Sequence, residues 1–222
     1  MTAYIFDSET TGIKDPEVIQ TAWINLGDIL PLRNLSEVCE SWKPSKTIEL
    51  GALATHHIME EDLVACPPSS NFTLPADCTF LIGHNIDFDW TAIGKPLAPK
   101  RLCTLALARS FWPHLESHTQ SALLYHFERA TARNRLKSAH DALADVQNCY
   151  IILGHIIAAT IDTCRSFDDL YRISQLARIP KVMPFGKHKG EPFSSIPRPY
   201  LKWLTAQPDM DQYVIAAAKG AM

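Results

Sequence analysis

The chain has no Cys-x-x-Cys pair, no cysteine–histidine spacing of the zinc-site type, no internal repeat and no low-complexity tract. The missing spacings exclude the usual structural zinc sites. The six cysteines, at positions 39, 66, 78, 103, 149 and 164, are expected to be reduced thiols of an intracellular protein. No basic segment followed by an apolar stretch opens the chain, so no secretion signal is expected. The most apolar helical stretch, 151–161, is too short to span a bilayer and carries His155. A cytoplasmic protein with no membrane partner is therefore expected. An excess of positive charge is lacking too: 21 lysines and arginines stand against 24 acids, a net charge of −3. That balance does not announce a nucleic-acid binder. It excludes little, because an enzyme can hold carboxylates at its centre and basic residues at its rim.

What is present suits one domain with a small appendage: 222 residues, 46% hydrophobic, with a mean hydropathy of −0.06. Thr2–Phe6, Val18–Leu26 and Val38–Trp42 are β-prone and follow one another with a Gly27-Asp28 turn, which predicts an antiparallel meander. Cys78–Ile82 is short and continuously apolar up to Gly83, as for a strand buried on both faces. Helices are expected over 51–64, 85–93 and 120–129, and a strand running into a helix over 101–112. The longest helix is expected from Ser138, as N-cap, to about Ile161, with Asp141 three residues on in a capping-box-like position. The composition changes near residue 165, so domains of 1–168 and 169–222 are expected.

Three clusters carry chemistry-bearing residues. In Phe6-Asp7-Ser8-Glu9-Thr10-Thr11-Gly12, the two acids lie two apart on a strand and so share a face. Ionised and about 4 Å apart they repel by roughly 1–4 kcal/mol, a penalty that a divalent cation removes. Alone, such a pair reads more readily as exposed acids at a strand end. In Gly83-His84-Asn85-Ile86-Asp87-Phe88-Asp89, the acids follow the buried strand at its C-terminal end, where open α/β sheets bind their ligands. Asp87 and Asp89 diverge by about 200° on a helix, so only one can face a site. The pattern alone does not choose; Phe88 is expected in the core between them. In His140-Asp141-Ala142-Leu143-Ala144-Asp145, His140 and Asp145 stand about 140° apart on a helix. That suits an inward Asp145 and a His140 at the helix start.

Asp-x-Glu on the first strand, His-Asn-x-x-Phe-Asp after a later strand and His-x-Ala-x-x-Asp at a long helix together resemble the signature of the DEDDh 3′→5′ exonucleases. The likeness extends to Cys103–Arg109, Trp112-Pro113, Phe185–Gly190 and Tyr200–Leu204, and is most similar to the exodeoxyribonuclease X branch. The resemblance implies a ribonuclease-H-like α/β fold, a mixed five-stranded sheet with flanking helices, plus a small C-terminal module. It implies two Mg²⁺, with Mn²⁺ as a substitute, on Asp7, Glu9, Asp89 and Asp145, and His140 as general base. It chooses Asp89 over Asp87. It also places the Thr10-Thr11-Gly12 turn, His56 and Asn85 at the substrate. His56-His57-Ile58 matches a segment often reading His-Gly-Ile, with His57 in place of the small residue. The implied substrate is DNA with a free 3′ end, single-stranded or frayed. An exoribonuclease is the nearest rival, since these residues read metals and phosphates rather than the sugar. A catalytically silent binding module is the rival from another class.

The tail has its own pattern. Between 181 and 203, Lys181, Lys187, Lys189, Arg198 and Lys202 face one acid, Glu191, and are interleaved with Phe185, Phe193, Tyr200 and Trp203. Phosphate contacts with stacking aromatics are the make-up of a single-strand surface, with Lys187 and Lys189 as substrate contacts. The plainer reading is that these aromatics form the module's small core.

Overall fold

The computed structural model describes residues 2–28, 30–160 and 163–222, which divide into two compact units, 1–174 and 175–222. In the first, strands β1 (Thr2–Thr10), β2 (Val18–Gly27), β3 (Ser36–Ser41), β4 (Cys78–Gly83) and β5 (Lys100–Cys103) form one sheet in the order β3-β2-β1-β4-β5. The β3-β2-β1 meander is antiparallel, while β4 runs parallel to β1 and β5 parallel to β4. Strand β1 extends well past the apolar run that signals it. Its β2 partner is paired along the whole length, so the ladder carries Asp7 and Glu9 opposite Ala22 and Gln20.

Alternation then sorts the side chains. Ala3 and Ile5 share a face with Phe80 and Ile82, and Tyr4 and Phe6 pack with Leu81, Ile86 and Cys103 on the other. The helices of this unit are α1 (Leu50–His56), α2 (Asp87–Ala92), α3 (Thr104–Phe111), α4 (Gln120–Phe127), α5 (Arg129–Arg135), α6 (Ala142–Ala159) and α7 (Phe167–Ala177). Helix α6 lies against β1, β2 and β3, and α2 against β1.

Several expected elements are divided. The 51–64 helix stops at His56, because His57 adopts φ +60° and donates its N–H to the Leu53 carbonyl (2.9 Å). This left-handed position favours glycine, which is the physical sense of the small residue in the resembling segment. The 120–129 helix breaks at Glu128 and α5 follows at once. Ser138 is no N-cap: it ends a 3₁₀ turn, Leu136–Ser138, and His140 at φ +68° cannot continue a helix. Asp141 caps α6 instead, accepting from Ala144 N–H (3.1 Å). The expected end at Ile161 lies outside the described residues. Phe88 is half-buried, and it is Ile86 that enters the core.

Among the described residues one helix, α6, is long and apolar enough to cross a membrane, with a hydropathy of 1.3 over 18 residues. Its Val146, Cys149, Ile152, Leu153 and Ile156 are buried in the protein core. The boundary between the units falls within α7, six residues beyond the expected one. In the second unit α8 (Arg198–Thr205) and α9 (Gln212–Gly220) enclose Met183, Phe193, Ile196, Leu201, Leu204, Val214 and Ala218.

Gly83 sets the spacing between β1 and the turn after β4. A Cβ there would sit 2.8 Å from Ile86 Cδ1 and 2.9 Å from the Phe6 carbonyl oxygen, both fully packed. Gly83→Ala is therefore expected to destabilise the protein by about 1–3 kcal/mol, read as a lowered urea midpoint at unchanged slope.

Candidate active site

The pairing of β1 with β4 ends at Ile5↔Ile82, so beyond it the backbone of β1 is open on that side. A buried N–H left unpaired there would be unfavourable. Asp89, at 4% exposure, resolves this: one carboxylate oxygen accepts from both Ser8 N–H (3.0 Å) and Ser8 Oγ–H (2.8 Å). The parallel β1 and β4 thus deliver Asp7, Glu9 and Asp89 to one end of the sheet. Asp87 points elsewhere. It pairs with Arg101, whose guanidinium stacks on Trp90 at 3.8 Å. The structure brings Asp89 and not Asp87 to the cluster.

Asp145 arrives from the first turn of α6. It accepts from the backbone N–H of His140 (3.2 Å) and from Asn148 Nδ2 (3.4 Å). The exposed His140, expected inside the first helical turn, instead precedes the N-cap and folds back over that turn. Ligand atoms of Glu9, His140 and Asp145 lie within 4.8 Å of one another, a spacing that could hold a metal ion. Gln20, opposite Glu9 on β2, fixes the start of α6 twice: Nε2 donates to Asp141 (3.3 Å) and Oε1 accepts from Ala142 N–H (2.9 Å).

The electrostatics are one-sided. Burial, then the charges of Asp89, Asp145, Glu9 and Asp141, hold the Asp7 carboxyl well above its ordinary range. Burial and Asp145, Asp89 and Asp141 push Glu9 up to about 8. Burial pushes Asp89 up to about 7 against the opposing Ser8 hydrogen bonds, and raises Asp145 against the His140 N–H. Folding therefore makes these groups bind protons that the unfolded chain has released. The contribution of Glu9 and Asp89 to the stability of the metal-free protein therefore falls as pH rises from about 4.5 to about 8. Acids held below their ordinary range, such as Glu17, act oppositely below about pH 4.5, and the lowered histidines His84 and His56 act oppositely below about pH 6.5, so the fall stands unopposed from about pH 6.5 to 8. Thermal melts in EDTA check the sign; a melting temperature that rises from about pH 6.5 to 8 would contradict it.

The other expected residues fall into two groups. Thr10 and Thr11 are buried, and their hydroxyls hold the turn itself, Thr10 donating to the Gly12 carbonyl (2.9 Å) and Thr11 accepting from Glu17 N–H (3.1 Å). A Cβ on Gly12 would meet the Glu49 carboxylate at 2.3–2.7 Å. His56 is buried, which lowers its pKa against the opposing Thr10 backbone; its Nδ1 accepts from Ile58 N–H (3.0 Å). Asn85 is exposed at φ +74°, in the turn that leads into α2. Lys187 and Lys189 are exposed on a turn of the second unit.

Sequence reasoning missed Ser8, Gln20 and Asn148, which orient the acids. Gln20 alone carried a signal, a polar residue inside an apolar strand. His84 is structural: its Nε2 faces the His118 carbonyl (2.8 Å), which can only accept, and burial lowers its pKa to about 4. A cleft of about 480 Å³ runs from His140 and Asp145 to Arg109 and Gln120. A larger one, about 580 Å³, lined by Glu17, Lys43 and Ser69, contains none of the acids.

Comparison with known proteins bears on the fold. No curated protein matches the chain. Residues 172–208 match a family described as "Putative quorum-sensing-regulated virulence factor". Among solved structures, the chain is similar to exonuclease X in complex with 5′-overhanging duplex DNA, at 20% identity and a TM-score of 0.61, covering 78% of this chain and 99% of that one. It is also similar to a zinc-ion-bound E. coli exonuclease I with single-stranded DNA, at 17% identity and TM-score 0.58, over 81% of this chain and 43% of that one. A moderately thermophilic exonuclease I from Methylocaldum szegediense matches at 19% identity and TM-score 0.56, over 81% and 44%. The chain spans less than half the length of these exonuclease I chains. The five-stranded mixed sheet with its flanking helices is the ribonuclease-H-like α/β fold that exonuclease X and exonuclease I share.

Proposed function

We propose that this chain is a metal-dependent 3′→5′ exodeoxyribonuclease acting on DNA with a free 3′ end, single-stranded or frayed. The observation that supports it most is the convergence of Asp7, Glu9, Asp89 and Asp145, all with carboxyls held above their ordinary range. A cluster of this kind is stable as carboxylates only with counter-charge, and no lysine or arginine is hydrogen-bonded to any of the four among the described residues. Four oxygen donors and no thiolate suit hard divalent cations, Mg²⁺ or Mn²⁺. The residues therefore fit two such ions, held by these four acids. Bound cations would supply an acidified water and charge neutralisation at the phosphate.

The chain's own groups do the rest. Ser8 locks the Asp89 carboxylate, and the His140 N–H locks Asp145. The His140 ring, exposed at the rim of the cluster, takes the proton of the attacking water. The Thr10-Thr11-Gly12 turn is rigid through its own hydrogen bonds and supports the terminal nucleotide beside Glu9, with Asn85 as a further contact. His56, buried beside the Thr10 backbone, backs the same turn. DNA is favoured over RNA because the structures that share the fold carry DNA.

The test is digestion of 3′-labelled single-stranded DNA, duplex DNA and RNA, each with Mg²⁺ and with EDTA. Mononucleotides should appear from single-stranded DNA with Mg²⁺ alone. Faster release from RNA would favour the exoribonuclease, and no hydrolysis of any substrate would favour the silent module. Metal binding has a separate readout. Mg²⁺ at about 100 times its Kd should add about 2.7 kcal/mol of stability, or about 5–10 °C in Tm, by scanning calorimetry at pH 8.

A further inference from the structure

Which aromatics build the core of the second unit, and which do not, decides the role of its surface. Phe193 is buried and Tyr200 packs at the edge of the cluster. Trp203 is 54% exposed and Phe185 40% exposed. The reason lies in α8: Leu201 and Leu204 supply its inward face, so Lys202 and Trp203 must point out. Leaving an indole face in water forgoes a large apolar burial.

Trp203, Tyr200 and His188 form a continuous row of rings with Trp203 at its exposed end. The indole of Trp203 lies 5.3 Å from the Tyr200 ring, which meets His188 edge-on at 4.6 Å. His188 sits in the turn 183–191, closed by Met183 N–H to the Glu191 carbonyl (2.9 Å) and Gly190 N–H to the Met183 carbonyl (2.8 Å). Gly186 and Gly190 take φ +71° and +87°, conformations that glycine allows, and a Cβ on Gly186 would lie 3.5 Å from the Tyr200 hydroxyl. The turn is thus held against the aromatic row. Lys187 and Lys189 on the turn, and Arg198 and Lys202 one helical turn apart on α8, are exposed. None of the four makes an ion pair among the described residues, while the one local acid, Glu191, is engaged by His188 (3.0 Å).

We propose that this surface is a stacking platform for single-stranded DNA, with unpaired bases on Trp203 and Tyr200 and the phosphates between Lys187, Lys189 and Lys202. Charge complementarity selects a polyanion. The open indole face selects one with free planar faces, which a duplex hides within its stack and an acidic peptide lacks. The choice of DNA over RNA rests on the proposed deoxyribonuclease activity; the platform itself does not.

Binding is read on the full chain in EDTA, by fluorescence anisotropy of a labelled dT 20-mer, so the result is independent of whether the wild-type chain hydrolyses DNA. Trp203→Ala should weaken binding roughly 5- to 150-fold, and Trp203→Phe should restore most of it. Lys187→Ala/Lys189→Ala should flatten the salt dependence by about 1.4 in slope. Affinity for the dT 20-mer within twofold of wild type in Trp203→Ala overturns the proposal. So does an equal loss on a blunt 20-base-pair duplex, tighter binding of an rU 20-mer, or binding to phosphatidylglycerol vesicles that Trp203→Ala abolishes.

Discussion

Asp7→Asn is expected to lower hydrolysis of a 3′-labelled single strand by at least about 10³-fold while raising the melting temperature of the metal-free protein at pH 8. The two effects have one cause. Asparagine keeps the shape of the side chain and its place opposite Ala22, but carries no charge. It therefore holds a divalent cation far more weakly, and it removes the cost of burying a carboxylate beside Asp89, Asp145, Glu9 and Asp141. A general loss of structure would lower both activity and stability. If activity survives, or if it falls together with stability, Asp7 belongs to the scaffold and not to a metal centre.

His140→Ala should cost about 10²–10⁴-fold in turnover at saturating Mg²⁺ while leaving the metal-induced rise in melting temperature in place. That second readout matters because the His140 ring lies within 4.8 Å of ligand atoms of Glu9 and Asp145, close enough for a ligand as well as for a base. Loss of the metal-induced rise would make His140 a ligand. Retained turnover would remove it from the chemistry altogether.

Helix α6 is capped by Asp141 and not by Ser138 for a reason outside the local sequence. Ser138-x-x-Asp141 contains two good N-cap residues, and local preference hardly separates serine from aspartate. Gln20, more than a hundred residues away in sequence, settles it by bonding both Asp141 and Ala142 N–H. The left-handed turn at His140 follows from that choice and swings the residue back over Asp145. The division at His57 is of the same kind. Apolar spacing continues through 51–64, yet the backbone turns left-handed where the segment meets Ile58.

By itself, the sequence determined what depends on short-range period and chemical type. The two-residue repeat put Asp7 and Glu9 on one face of a strand, the apolar run at Cys78–Ile82 marked a strand buried on both faces, and the spacing of acids and histidine limited the chemistry. These are legible because neighbouring residues impose them through backbone geometry alone. Tertiary structure alone decided where α6 begins and which rings stay wet, and it supplied the physical reason for the acid that only the resemblance had picked. Asp89 is chosen because β1 outruns β4 and leaves Ser8 N–H to satisfy. Trp203 stays outside because Leu201 and Leu204 already fill the small core. Each outcome is settled by a partner distant in the chain, and no local pattern encodes where that partner will be.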